Sequence, residues 1–312
     1  MITLQRFQNL LVGKNEHLGT PNLLGSFRHF LKNGGPDPEW YDSISDFSEL
    51  VLENLNSHSV SAEEIQTFLQ SCAFIHEPDS IIGKMHLSSN GTMQNHPFMG
   101  SILGESISEK YDKWDAYTLQ LPVIQAWLKR KGLFHQALLN LGSGGGLVLN
   151  LGCESSIEMA EFYKSYPDSN VLCTYIDHCP QSIEQTKRNC NPFRNKVNPI
   201  QANPLEYKCI QTYHLVWSSF VLDRLKEEDL IALLRKSMRW LKPGGMAVFC
   251  FTPRPCPDGR DFLELFGNLS IRMWAPEELI RLSQEAGYKR NKLKIEKSDC
   301  GTNLILKLRN AF

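Results

Sequence analysis

No two cysteines in the chain are spaced as Cys-x-x-Cys and no Cys/His group stands at zinc-ligand spacing, although nine cysteines are present. That scattered, odd-numbered set excludes a disulfide framework, predicts no metal site, and reads mostly as buried apolar filler. An excess of charge of one sign is missing too: 33 Lys+Arg stand against 34 Asp+Glu, a formal net charge of −1. With no basic excess and no clustered basic-aromatic stripe, the sequence predicts no nucleic-acid partner and no bulk attraction to an anionic membrane. No apolar run approaches the roughly 18–20 residues that span a bilayer, which predicts no membrane insertion. The opening MITLQRFQNLLVGKNEH lacks the apolar core and small-residue cleavage site of a secretory leader, so the expected location is cytoplasmic. What is present is 312 residues, 42% hydrophobic and 21% charged, enough for a globular protein of two domain-sized units.

Up to residue 138 the chain reads as helices and loops. DFSELVLENL (46–55) and SAEEIQTFLQSCAFI (61–75) carry apolar residues at three- and four-residue spacing, the second capped by Ser61. A polar, turn-rich stretch (86–101) precedes a helix predicted from about Glu109 through the 120s, which Pro122 is placed to kink. After LNLGSGGGL (139–147) the pattern changes to short apolar runs alternating with amphipathic segments, the pattern of parallel strands joined by crossover helices. Strands are predicted at 147–151, 171–176, 197–202, 213–219 and 246–251, with helices at about 155–165, 180–190 and 226–241. A helix opened by Pro276 and ended by Gly287 follows, then KLKIEK and TNLILKL (302–308) as an edge hairpin, making seven strands. The expected architecture is α/β: a seven-stranded doubly wound, Rossmann-like sheet (147–312) with an N-terminal helical cap (1–138).

In an open parallel sheet, ligands bind beyond the carboxyl ends of the strands. Gly152-Cys153-Glu154 follows the first predicted strand, and Asp177 follows the second, 25 positions past Gly152. A glycine turn lets a ligand approach the backbone, and a carboxylate at the next strand end can accept both hydroxyls of a ribose. The pair fits a nucleoside-containing cofactor, with a helix N-cap as the alternative for Asp177.

These segments resemble the class I S-adenosylmethionine-dependent methyltransferases over about residues 147–312. The resemblance is carried by VLNLGCESS (148–156), YIDHCP (175–180), IQANPLEY (200–207), HLVWSSFVLDRL (214–225) and LKPGG (241–245), in the family's order, and by WAPEELIRLSQEAGY (274–288). It implies S-adenosyl-L-methionine as cofactor, with Gly152, Cys153, Glu154, Asp177, His178, Asn203, Pro204, Ser218 and Ser219 near it. The chain departs from the family where Asn150 replaces an acidic residue and Glu154 a glycine. A rival glycine loop, LNLGSGGG (139–146), looks closer to the consensus, but it would put the ribose carboxylate 35 positions after Gly142 and require GLVLNLGCESS to be a helix. That spacing argument keeps 148–156 as the first strand and turn.

The region before the sheet, NGTMQNHPFMGS (90–101) with EKYDKWDAYTLQLPVIQAWLKRK (109–131), is similar to the same region of bacterial enzymes that form the methyl ester of a 3-hydroxy fatty acid signal. That similarity implies that the N-terminal helices fold over the cofactor pocket and shape the acceptor site. Tyr111, Trp114, Tyr117 and Arg130 are the residues it points to. An aromatic stripe at this spacing is more often a helix core than a ligand box, and Arg130 in LKRKG could simply belong to a solvated basic helix end. Arg224 and Arg254 are the basic residues nearest the expected acceptor mouth, and either guanidinium could hold a carboxylate.

No paired general base stands out, and no catalytic residue is assigned. An ionised carboxylate acceptor needs none, so the expected reaction is O-methylation of a small or lipid-like carboxylic acid, a biosynthetic intermediate or signal. The alternative is a methyltransferase-like binding or scaffold protein, or one recruited to another reaction, on the ground of its altered first motif. The sequence leaves the oligomeric state unknown.

Overall fold

The computed structural model describes residues 24–25, 27–88, 111–142, 144–152, 156–255, 258–298 and 302–310. In chain order its helices are α1 (Arg28–Lys32), α2 (Tyr41–Asn56), α3 (Ala62–Gln70), α4 (Ile81–Ser88), α5 (Asp112–Gln120), α6 (Pro122–Leu139), α7 (Ile157–Ser165), α8 (Pro180–Asn189), α9 (Glu227–Trp240), α10 (Arg260–Gly267) and α11 (Pro276–Glu285). The strands are β1 (Gly146–Leu151), β2 (Val171–Asp177), β3 (Val197–Gln201), β4 (Tyr213–Ser218), β5 (Leu241–Phe251), β6 (Leu293–Lys297) and β7 (Leu304–Arg309). No described helix is long and apolar enough to cross a membrane.

The described chain forms two compact units. One holds the residues before 89 together with 111–124 and 258–270, and is helical; the other holds 125–255 and 271–310 and contains the whole sheet.

In the helical unit, α3 starts where the sequence predicts. The Ser61 hydroxyl accepts from Glu64 N–H at 3.2 Å and the Glu64 carboxylate accepts from Ser61 N–H at 2.8 Å, a reciprocal cap. The helix stops at Gln70, short of the predicted 75, where the Ser71 hydroxyl takes the Phe68 carbonyl at 2.6 Å and competes with the helical ladder. The predicted helix through the 120s is two helices. Leu121 turns extended (ψ 129°) because the residue before proline is excluded from the helical region, and Pro122 then opens α6. Helix α10 was not anticipated: it is eight residues long and buries Phe262, Leu263, Leu265 and Phe266 in this unit. Phe27 sits at the centre of the core, 4.6 Å from Phe47, 5.1 Å from Phe266 and 5.4 Å from Trp114, ring centre to ring centre.

The sheet unit has the strand order β3-β2-β1-β4-β5-β7-β6. The first five strands are parallel, and β7 runs antiparallel between β5 and β6, so the predicted hairpin closes one edge. Both faces are covered, as a parallel sheet requires. Leu149 and Leu151 of β1 face α9 and α11 through Leu233, Leu234, Leu279 and Leu282. Val148 faces α6, α7 and α8 through Phe134, Met159 and Ile183. Strand β5 starts five residues before the predicted 246, because Leu241 pairs with Tyr213 before residues 242–245 loop out and the ladder resumes at Met246 and Leu215. Gly142 and Gly145, both with positive φ, belong to the turn leading into β1, so the rival glycine loop is a connection.

Candidate active site

The strand order reverses beside β1, which lies between β2 and β4, and a crevice therefore opens beyond their carboxyl ends. Gly152 follows β1 with φ +76°, a conformation that favours glycine, and its N–H donates to the Ile176 carbonyl at 2.8 Å. A Cβ here would come within 3.3 Å of Val221, on the short 3-10 turn Val221–Arg224 that follows β4. Cys153 and Glu154 lie outside the described residues.

Asp177 is the last residue of β2 and is 6% exposed. Its Oδ1 accepts from Cys179 N–H at 2.8 Å, and its own carbonyl accepts from Ala202 N–H at 2.8 Å. The first bond ties the carboxylate to the start of α8 and fixes its direction. His178 is exposed and approaches the same oxygen at 3.6 Å through Nδ1. Asn203 is exposed, and its side-chain carbonyl accepts from Leu205 N–H at 2.9 Å, making it the opening residue of a turn in which Pro204 follows. Ser218 ends β4 fully buried, donating to the Leu151 carbonyl at 2.8 Å and accepting from Val221 N–H at 3.2 Å, so its hydroxyl joins the ends of β1 and β4. Ser219 accepts from the Trp217 indole at 3.0 Å.

Beneath the Gly152 turn three polar side chains meet. Asn150 and Tyr175 are register partners on β1 and β2, and both are buried. The Asn150 amide bonds the Tyr175 hydroxyl, which donates to Glu158 Oε1 in the first turn of α7 at 3.4 Å. Asn150 is 3% exposed, and its Oδ1 has no hydrogen-bond partner among the described residues. Burial, the largest influence on Glu158, pushes its carboxyl up to about 7.

A second polar cluster lies beside the ends of β4 and β5. Arg130 of α6 is 1% exposed and donates to Asn303 Oδ1 (2.8 Å), Asp223 Oδ2 (2.8 Å), the Ser219 carbonyl (2.5 Å) and Thr252 Oγ1 (3.2 Å), with its guanidinium 4.8 Å from the centre of the Phe220 ring. Asp223 also accepts from Thr252 N–H at 2.7 Å. Arg130 is thus not at a solvated helix end. Its charge is matched by a buried carboxylate whose one sign in the sequence is an acidic residue inside the apolar run FVLDRL.

The remaining candidates are dispersed. Trp114 and Tyr117 are in the core of the helical unit, Trp114 stacked on Phe74 at 4.0 Å and Tyr117 bonded through its hydroxyl to Ser45 at 3.0 Å; Tyr111, also buried, caps α5. The core alternative for the aromatic stripe describes where these rings lie. Arg224 closes the turn after β4, and Arg254, after β5, is exposed and paired with Glu278 at 3.3 Å. No group of three His, Cys, Asp or Glu side chains suited to a metal ion occurs among the described residues.

Residues 148–245 match the family model described as "Methyltransferase domain". No curated protein matches the chain. Among solved structures, a possible exported protein from Bordetella parapertussis is 15% identical with a TM-score of 0.57, covering 93% of this chain and 95% of its own. The magnesium protoporphyrin IX methyltransferase of Synechocystis PCC 6803, solved with bound S-adenosyl-L-homocysteine, is 12% identical with a TM-score of 0.50, covering 68% of this chain and 92% of its own. A putative O-methyltransferase from Nostoc punctiforme PCC 73102 is 13% identical with a TM-score of 0.50, covering 76% of this chain and 70% of its own. At these identities the likeness is one of fold, and the family match lies within the sheet unit, where residues 148–245 resemble a methyltransferase domain.

Proposed function

We propose that this methyltransferase O-methylates the carboxylate of a small or lipid-like acid, holding S-adenosylmethionine across the ends of β1 and β2. The observation that carries the cofactor placement is the buried Asn150 side-chain carbonyl near the end of β1, which has no partner among the described residues and lies one side chain from the Gly152 turn. An orphaned buried acceptor is costly, and a cationic donor is the partner that best offsets that cost. The methionine ammonium of the cofactor is such a donor, and Asp177 at the next strand end suits its ribose hydroxyls, so the residues present fit the group. Gly152 leaves the backbone open to it, with Cys153, Glu154, His178, Asn203, Pro204, Ser218 and Ser219 as the surrounding positions.

When bound, the cofactor supplies a sulfonium-linked methyl group open to in-line displacement. The chain's own part is to align the acceptor and keep water out. Within residues 218–224 and 252–255 there is no histidine, and the one carboxylate, Asp223, is held by Arg130 and Thr252. An acceptor that arrives ionised needs no base there, which supports a carboxylate. Arg224 and Arg254 are the proposed partners for it, and the helical residues 1–138 the proposed substrate-selecting part.

Calorimetric titration with S-adenosylmethionine and S-adenosylhomocysteine tests the cofactor placement. Asp177→Ala should weaken binding by about 1.5–3 kcal/mol, the worth of hydrogen bonds to a charged group. Unchanged affinity in a folded variant removes Asp177 from the site. Transfer of a labelled methyl group to a panel of short- and long-chain carboxylic acids tests the acceptor: label released by mild base is an ester, and base-stable label would rule out carboxylate methylation.

A further inference from the structure

We propose that Tyr175 and Glu158 are positioning residues that set which way the Asn150 amide faces, so that its carbonyl and not its NH2 group meets a cationic ligand at the end of β1. The proposal rests on the cofactor reading above. An asparagine amide is close to symmetric in shape, and nothing in its own structure decides whether it offers a donor or an acceptor. Here the decision comes from two neighbours. The Tyr175 hydroxyl has one hydrogen, which it donates to Glu158 Oε1 at 3.4 Å. An ionised carboxylate only accepts, so the phenol oxygen is left to accept, and its donor is the Asn150 NH2 group. With the nitrogen committed, Oδ1 is the atom without a partner among the described residues.

Protonation of Glu158 reverses the chain. A carboxylic acid donates to the Tyr175 oxygen, the phenol hydrogen turns toward Asn150, the amide rotates to accept it, and the carbonyl is consumed. One proton on Glu158, two hydrogen bonds away, therefore exchanges an acceptor for a donor at Asn150.

The groups facing Glu158 leave it as the switching member. Glu161 on the same helix raises its pKa, and Lys131 on α6 lowers it, the two smallest of its influences. From β2, Tyr175 and Cys173 are both pushed well above their ordinary values by burial, and so stay neutral. Cys190, at the end of α8, is pushed up to about 12. His135 of α6 bonds the Glu158 main-chain carbonyl at 2.6 Å, not the carboxyl group. With the carboxyl itself raised to about 7, the exchange falls in the physiological range.

The test uses the full chain labelled with 15N-asparagine, with the Asn150 side-chain amide identified by its loss in Asn150→Asp. Its resonance should titrate with a midpoint near 7 and stop titrating in Glu158→Gln and in Tyr175→Phe. In parallel, the affinity for S-adenosylhomocysteine should fall about tenfold from pH 7.5 to 5.5, the effect of ~1.4 kcal/mol at one hydrogen bond, a range in which the ligand's amine stays mostly protonated. Both variants should give flat profiles, with Tyr175→Phe binding more weakly than wild type at pH 7.5. An Asn150 resonance indifferent to pH, or titrating unchanged in Tyr175→Phe, overturns the relay. A profile that persists in Glu158→Gln overturns it as well. Titration of the amide in a wild-type chain that binds no S-adenosylhomocysteine at pH 7.5 overturns the cofactor reading instead, so the two failures are distinct.

Discussion

Glu158 lies among Tyr175, Cys173 and Cys190, where burial raises its carboxyl pKa from 4.5 to about 7. A carboxyl raised in the folded state favours its proton there. Its ionisation therefore costs nothing below pH 4.5, costs progressively more between 4.5 and 7, and costs the full amount above. Glu158→Gln should stabilise the protein by about 1–3 kcal/mol above pH 7, and hardly at all below pH 4.5. Thermal unfolding of both proteins at pH 4.5 and 8 checks this, and a gain that is the same at both values would mean the carboxyl is not perturbed. At this scale the sequence is informative where a residue's place follows from a strand end. Asp177 and Gly152 stand where the strand pattern puts them, because backbone periodicity fixes which residue emerges from a strand. Tyr175 and Glu158 do not follow from that pattern, since their meeting depends on the packing of α7 against β2. Trp114 and Tyr117 look the same in sequence whether a helix turns them to a ligand or, as here, into a core.

Arg130 and Asp223 act on the scale of elements, because their bonds join α6, the turn after β4, the end of β5 at Thr252 and the chain just before β7 at Asn303. Both charges are out of water, Asp223 at 0% exposure. Removing one partner strands the other, so Asp223→Ala should cost about 3–5 kcal/mol, whereas Arg130→Met combined with Asp223→Leu should recover a large part of that loss. Urea unfolding of wild type, Asp223→Ala, the single variants Arg130→Met and Asp223→Leu and the double decides it; a double variant as unstable as the sum of its two singles would mean the pair is not coupled. The elements themselves are largely legible in the sequence: the alternating strands, the acidic start of α9 and the Ser61 cap of α3 all fall within a few residues of expectation. The early start of β5 and the short α10 are settled by what a segment pairs or packs with, which local propensity does not carry, whereas the break at Leu121 is the local effect of Pro122 and goes further than the kink expected there.

For the whole molecule, the division into units bears on where the chain can be cut. The segment carrying α10 leaves the sheet unit beyond Pro255 and returns at Ile271, and its flanks meet where Arg254 N–H donates to the Trp274 carbonyl at 3.0 Å and Trp274 N–H to the Thr252 carbonyl at 3.2 Å. The two ends of the excursion are thus already held together, while its middle, with Phe262 and Phe266, belongs to the helical unit and packs there against Tyr117, Phe74 and Phe27. A chain beginning near Leu147 would also lose α6 and leave Asp223 buried without Arg130, and its insolubility would say nothing about the helical unit. A chain beginning at Pro122 keeps that pair but uncovers the apolar face of α10. It should associate and bind a hydrophobic dye, since an apolar face stripped of its partners is an aggregation site. The same chain with residues 255–272 replaced by a short Gly/Ser linker should be monodisperse, because the linker has only to join ends already in contact. Sedimentation velocity on the two chains checks this. If the linker chain aggregates as much as the other, α10 is not what makes the helical unit necessary for solubility. If it is monodisperse and binds S-adenosylhomocysteine as the full chain does, it supplies the material for measuring what the helical residues contribute to acceptor selection.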